Sequence, residues 1–408
     1  MSRTIILVVD GLGVGAMPDA GALRPADLRA DTLAHTLDHC RQTTGEPLRL
    51  PVFGALGLGR VRPHRDLPDE PRPPTAYGRA ALGYPGADTY AGHQTMMGAD
   101  FRTVTLARLR EHQVEVAGAL RAAGHSVALS DGVLLVDDQA LVHDNLEADP
   151  GVNWNVSAPL TALAFGDVLE IARTVRDVAP VARVIAVGGH PDEPLSRFVR
   201  QGDDGTVGLD TPASGLYRNG GLEVQHLGAP LDHTRQLPEL AARAGVPVTL
   251  VGKAADILAC AEAERLPAVP TARVLAHTRA AALEAGTGGR ALVVANVQET
   301  DLAGHQQDPG RFGALLERVD AGLGELISVL DSPGDRLIVT GDHGNDPLAG
   351  HPYHTREFVP VLVHQHGGGA GGSARRLADA GTLADVGATA ARALGLPPSG
   401  LESGEPLC

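Results

Sequence analysis

Five short apolar runs, at residues 4–9, 246–251, 291–295, 336–340 and 359–363, constrain the fold of this chain more than any other feature. Each is brief, rich in Val, Ile and Leu, and shows little polar alternation, which is the pattern of strands buried on both faces of a parallel sheet. Helical patterns accompany them at 237–244, where Pro238 suits a first turn, at 311–330 and at 383–394. Strands alternating with helices predict an α/β sheet covered on both sides. Hydrophobic residues make up 43% of the 408, enough to fill such a core, but aromatics only 3%, so the filling must come from Ala, Val, Leu and Ile.

The polar residues at the ends of these runs carry the next inference. Asp10, Asn296 and the Asp342-His343 pair each follow a predicted strand. Ligands of open α/β sheets bind at the carboxyl ends of the strands, so these groups are expected to converge. The middle of the chain, from about residue 100 to 230, reads differently. There, runs at 126–129 and 133–136 flank an Asp-Gly turn and predict a hairpin, while loops near Pro150 and at 202–205 are polar and Gly-rich. A second α+β unit inserted into the sheet domain is the simplest account.

Charge and cysteine usage exclude several classes. A formal net charge of −15 with no basic run argues against nucleic acid or anionic lipid as partners. Cys40, Cys260 and Cys408 are scattered, with no thiolate pair for zinc and no disulfide framework. The N-terminus leads straight into a strand, without a signal-like apolar stretch, and no segment approaches a membrane span, so a cytoplasmic location is expected.

Four segments hold Asp, His and Thr in groupings that suit chemistry. Asp10-Gly-Leu-Gly-Val-Gly15 puts a carboxylate before glycines, a pattern that also fits a turn or a cap. In Gly86-Ala-Asp-Thr-Tyr-Ala-Gly-His93, Thr89 is a nucleophile candidate if it opens a helix, and a capping residue otherwise. Asp301 and His305 in Asn296-Val-Gln-Glu-Thr-Asp301-Leu-Ala-Gly-His305 are four apart and on a helical turn would face one ion, or simply share a solvated face. Gly341-Asp-His-Gly-Asn-Asp346 sends a carboxylate and an imidazole out after a buried strand, and His354-Thr-Arg-Glu357 follows. Mixed carboxylate and imidazole ligands suit Mn²⁺ or Zn²⁺ better than Ca²⁺. His93 fits a supporting hydrogen-bonding role, His190 and His351 read as loop histidines, Asp346 as a turn residue, and Trp154 as a packing residue or a sugar platform.

The order Asp…Thr…Asp/His…Asp-His…His resembles the alkaline-phosphatase superfamily, and within it the phosphopentomutases and the cofactor-independent phosphoglycerate mutases. The opening from Asp10, Val251-Gly-Lys-Ala-Ala-Asp-Ile257, Asp342-His-Gly-Asn-Asp-Pro347, His354-Thr-Arg-Glu-Phe-Val-Pro and Thr382-Leu-Ala-Asp-Val-Gly387 are similar to phosphopentomutase stretches. The resemblance implies an α/β, alkaline-phosphatase-like core sheet flanked by helices, at 1–100 and 230–408, with a smaller inserted α+β cap at 101–229 that holds substrate. It also implies two divalent ions, Mn²⁺ by preference, one held by Asp10, Thr89, Asp342 and His343 and the other by Asp301, His305 and His354. Thr89 would be the phosphorylated residue, passing its group between the 1- and 5-oxygens of ribose or deoxyribose phosphate. Lys253, Arg356, Arg197 and Arg200 would contact the substrate, a small phosphorylated sugar.

Departures from the family pattern keep other readings open. Ala87 stands where the family carries Lys, Gln94-Thr95 where it carries Trp-Glu, and Tyr353 where it carries Asp. The spacing of Asp301 and His305 is one residue shorter than in phosphopentomutases and matches the phosphoglycerate mutases. The middle region has no match to the family's Arg-rich phosphate-binding stretch. A metal-dependent phosphohydrolase, or a phosphomutase for another small phosphorylated substrate, is the alternative reading. A non-catalytic metal-binding relative is a third.

Overall fold

A computed structural model describes residues 2–408 apart from 23, 102–103, 131, 203–204, 217–218, 286–288 and 368–372. The chain divides into two compact units, one formed by residues 1–101 with 231–408 and the other by 102–230. No described helix is long and apolar enough to cross a membrane.

The larger unit is built on an eight-stranded sheet. In spatial order its strands are Glu264–Leu266, Val248–Gly252, Ala291–Val297, Arg3–Val9, Arg336–Thr340, Val359–Gln365, Thr75–Ala80 and Arg375–Arg376. The first five run parallel, as the apolar sequences of four of them predict; Glu264–Leu266, polar and largely exposed at the edge, was not among the predicted strands. Val359–Gln365 does not: it pairs antiparallel with both of its neighbours. Apolar continuity reports burial on two faces and carries no information on strand direction, so the expectation of an all-parallel sheet fails at this strand. Arg3–Val9 is buried along its whole length, with Ile5, Leu7 and Val9 joining a core that includes Phe312, Leu316, Val319 and Leu323 of the helix Pro309–Ser328. On the other side, helix Ala384–Ala393 packs against Arg3–Val9 and against helices Thr89–Met96 and Leu237–Arg243. Placing helices over both faces leaves the carboxyl edge of the sheet open for polar side chains.

The strand Arg3–Val9 is anchored at its start by an ion pair. Asp335 Oδ1 accepts from the Arg3 backbone N–H at 2.8 Å, and Asp335 Oδ2 accepts from Arg3 Nε at 3.0 Å, with both residues buried. The Arg3 guanidinium holds the Asp335 carboxyl below the usual carboxylate range, against the opposing push of burial.

The smaller unit has its own sheet, whose main path runs Glu223–Gly228, Arg183–Gly189, Asn153–Pro159, Ala140–Asp144, Val133–Val136 and Val127–Ser130. The last two form the antiparallel hairpin that the Asp-Gly turn predicts, although Asp131 itself lies outside the described residues, as do 203–204 of the Gly-rich loop. Helices Leu109–Ala122 and Phe165–Val178 cover one face. Trp154 is fully buried in that core, and its indole N–H donates to the Ala107 carbonyl at 2.8 Å. Of its two readings, packing is the one realised.

Candidate metal centre

The polar ends of the core strands meet. Asp10 follows Arg3–Val9 directly, and Gly11 after it adopts φ +76, which a side chain would strain. The turn brings the Gly11 N–H to Asp342 Oδ1 at 3.1 Å, linking two strand ends. Thr300 at the start of helix Glu299–His305 donates its hydroxyl to the Asp10 carbonyl at 2.6 Å, which fixes the helix carrying Asp301 and His305. Thr89 is the first residue of helix Thr89–Met96, whose N-cap Asp88 accepts from Ala91 N–H at 2.9 Å.

Two groups of potential ligands result. Asp10, Asp342 and His343 form one, fully buried, and Asp301, His305 and His354 form the other, less buried. Ligand atoms within each group lie within 4.8 Å of one another. Thr89 Oγ1 sits 2.8 Å from His343 Nε2 and so belongs to the first group. The rings of His343 and His354 stack at 3.8 Å between centroids, so the groups adjoin.

All three histidines of these groups are set the same way. His343 Nδ1–H donates to the Gly344 carbonyl, His305 Nδ1–H to Pro352 and His354 Nδ1–H to Ala87, at 3.1, 2.6 and 3.0 Å. Each therefore turns the lone pair of Nε2 into the site. His305 Nε2 and His354 Nε2 then stand only 3.1 Å apart, a gap that a proton on His305 fills without an ion and that a divalent cation, bound by both neutral rings, would fill in its place. Asp10 Oδ1 and Asp342 Oδ2 are buried and make no hydrogen bond among the described residues. Burial without a partner is costly for a carboxylate. On both counts the donor set fits divalent ions, with oxygen and nitrogen ligands together.

Electrostatics agree with a site short of positive charge. Burial, then the neighbouring Asp342, pushes the Asp10 carboxyl up to about 7. Burial and the adjacent His343 push His354 down to about 4. His305 rises to about 9, because Asp301 outweighs the burial that opposes it. Lys253 Nζ donates to Asp10 Oδ2 at 2.9 Å and to Thr89 Oγ1 at 3.1 Å, and lies 3.6 Å from Asp301 Oδ2. It thus touches both groups and the Thr89 hydroxyl, and it is the only lysine in the sequence.

Supporting residues surround these ligands. His93 is fully buried, donates from Nδ1 to the Thr89 carbonyl at 2.9 Å, and accepts at Nε2 from Asn296 Nδ2 at 3.0 Å. Asn296 Nδ2 also reaches Asp10 Oδ2 at 3.0 Å. Asn345 Nδ2 donates to Asp301 Oδ1 at 2.8 Å, a contact that the sequence did not announce. Asp346 is more than a turn residue: it is buried and accepts from Asp31 N–H, Leu348 N–H and His35 Nδ1. Glu357, also missed, is buried and takes the Gly15 and Thr32 N–H groups and the Thr32 and Thr355 hydroxyls. His351 ties its loop down through Asp27 at 2.8 Å.

The four expected substrate contacts divide. Lys253 is at the site. Arg356 is buried, and its guanidinium is committed to Asp19 and to the carbonyls of Tyr84 and Gly86 at 2.6–2.9 Å. These bonds order the turn leading to Thr89. Arg197 and Arg200 lie in the smaller unit, where exposed Arg197 pairs with Glu193 at 2.6 Å and Arg200 bonds the Arg197 and Val199 carbonyls.

Comparison with known proteins agrees with the chemistry. Residues 241–398 match the Metalloenzyme superfamily model. The chain is 33% identical to the phosphopentomutase of Anaeromyxobacter dehalogenans, over 97% of this chain and 96% of that protein. It is 31% identical to the phosphopentomutase of Methylobacterium radiotolerans, over 97% and 98%. A solved Leishmania mexicana phosphoglycerate mutase is 16% identical over 99% of this chain and 96% of that one, with a TM-score of 0.47. Near-complete coverage at this identity, together with two carboxylate–imidazole groups beside a helix-opening threonine, makes the chain a phosphomutase isomerase that belongs to the phosphopentomutase family.

Proposed function

We propose that this protein interconverts ribose (or deoxyribose) 1-phosphate and 5-phosphate, with Thr89 as the residue that carries the phosphoryl group in transit. The observation that carries this reading is the setting of the Thr89 hydroxyl. It opens a helix, lies 2.8 Å from His343 Nε2 and 3.1 Å from Lys253 Nζ, and is 4% exposed. The proposed ligands are Asp10, Thr89, Asp342 and His343 for one ion and Asp301, His305 and His354 for the other, with Mn²⁺ as first choice. Two such ions would lower the pKa of the hydroxyl and neutralise charge on the transferring group.

The chain's own groups do the rest. Lys253 and the helix N-terminus at Thr89 favour the dianionic group on Oγ1. His93 and Asn296 hold Asp10, Asp342 and the Thr89 backbone, so little reorganisation accompanies transfer. The unit at 102–230 is proposed as the cap that shields phosphothreonine from water, so that the group goes to a sugar oxygen. Incubation with ribose 1-phosphate followed by peptide mass spectrometry tests the assignment. Phosphate on Thr89 is expected; phosphate on no residue, or turnover undiminished in Thr89→Ala, would refute it.

A further inference from the structure

Gln94 stands where the family pattern carries Trp, and its surroundings give it a task. The side chain is fully buried in helix Thr89–Met96, five residues after the nucleophile. Its Nε2 donates to the Ile257 carbonyl at 2.8 Å. Ile257 closes the short helix that begins beside Lys253, and its own N–H donates to the Lys253 carbonyl at 3.2 Å. Lys253 in turn reaches back to Thr89 Oγ1 at 3.1 Å. A closed circuit therefore runs from Thr89 along its helix to Gln94, across to Ile257, down one turn to Lys253 and back to Thr89.

The amide of Gln94 has no freedom in this circuit. Its Oε1 accepts from Gln236 Nε2 at 2.7 Å, and Gln236, 1% exposed, accepts at its own oxygen from His233 Nδ1 at 3.0 Å. On the far side of Lys253, Gly252 adopts φ +65, and a Cβ there would lie 2.4 Å from the Asn296 carbonyl. The turn is thus held from both directions. Lys253 is the only lysine in the chain, whose other permanently cationic side chains are all arginine. A compact ammonium can touch Asp10, Asp301 and Thr89 together, where a planar guanidinium imposes a fork.

We propose that the buried Gln94–Gln236 amide pair is a positioning device, which sets the Lys253 ammonium over the Thr89 hydroxyl. Its consequence for turnover rests on the mutase reading above; its consequence for Lys253 does not. Because Lys253 is the only lysine, an amine-acylating reagent such as N-hydroxysuccinimidyl acetate reports on it alone besides the α-amine. The test is the acylation rate of Lys253, read by peptide mass spectrometry on the intact chain, in wild type, Gln94→Leu and Gln236→Leu. It is run below the melting temperature of each, with and without Mn²⁺.

Each variant removes buried hydrogen bonds of the circuit, so acylation is expected to accelerate about tenfold or more. In parallel, kcat on ribose 1-phosphate should fall about tenfold with KM little changed, and the loss should not recur when Gln94→Leu is added to Lys253→Met. Unchanged Lys253 reactivity in both variants overturns the proposal whatever reaction the enzyme catalyses. Additive losses with Lys253→Met overturn it as well, since they would mean that Gln94 acts independently of Lys253. A wild type without mutase activity would defeat the functional reading and leave the acylation result to decide this one.

Discussion

At the scale of single residues, the candidate metal ligands and the groups that hydrogen-bond them come from different parts of the chain. Asp10, Asp301, His305, Asp342, His343 and His354 were legible because each sits in a short motif at a strand end or on one helical face. Asn345, Glu357, Gln94 and Gln236 were not, because a buried amide or carboxylate acquires meaning only from its partner, and those partners are distant in sequence. Arg356 sits in a legible motif, yet its bonds to Asp19 and to the Tyr84 and Gly86 carbonyls could not be read from the sequence for the same reason. Replacing Lys253 by Arg keeps the charge but not the shape, and activity should drop about tenfold or more in kcat. A Lys253→Arg enzyme with wild-type kcat would show that charge alone suffices there. Asn345→Ala should loosen Asp301 and weaken metal affinity about tenfold or more, read by titration of Mn²⁺ into chelator-treated protein.

At the scale of elements, five apolar runs located five strands to within a few residues, since burial on both faces leaves a strong mark. Thr75–Ala80 escaped because Gly78 and Arg79 break the apolar pattern and Ala76, Tyr77 and Arg79 are only partly buried. The anchoring of Arg3–Val9 is open to direct test. Asp335→Asn leaves the buried Arg3 charge with only the exposed Asp331 as counterion and should cost about 3 kcal/mol in urea unfolding, far more than a surface pair. In the smaller unit, His143 on strand Ala140–Asp144 is fully buried, donating from Nδ1 to the Asp144 carbonyl at 2.7 Å and facing the Ser157 hydroxyl at 2.9 Å. Burial pushes it down to about 4. The folded value lies below the unfolded one of about 6.5, so the stability involved is whole above that pH and lost as pH falls through about 4, roughly 3 kcal/mol in all. Hydrogen exchange over Ala140–Asp144 and Asn153–Pro159 should speed up across that window in wild type and far less in His143→Asn. Equal acid sensitivity in both would assign it to other groups.

At the scale of the whole molecule, the net charge of −15 and the clustering of three buried aspartates make the protein dependent on cations for more than chemistry. Metal bound only by the folded state should raise stability by about 3 kcal/mol per site at a hundredfold excess over Kd. Chelation should lower the melting temperature accordingly. The central claim is that phosphate moves between sugar oxygens by way of Thr89 and is not surrendered to water. A coupled assay of the Mn²⁺-loaded protein on ribose 1-phosphate, charged with a trace of sugar bisphosphate and monitored in parallel for free phosphate, tests it most directly. The account predicts formation of ribose 5-phosphate with negligible phosphate release, abolished in Thr89→Ala; release of phosphate faster than isomerisation would contradict it.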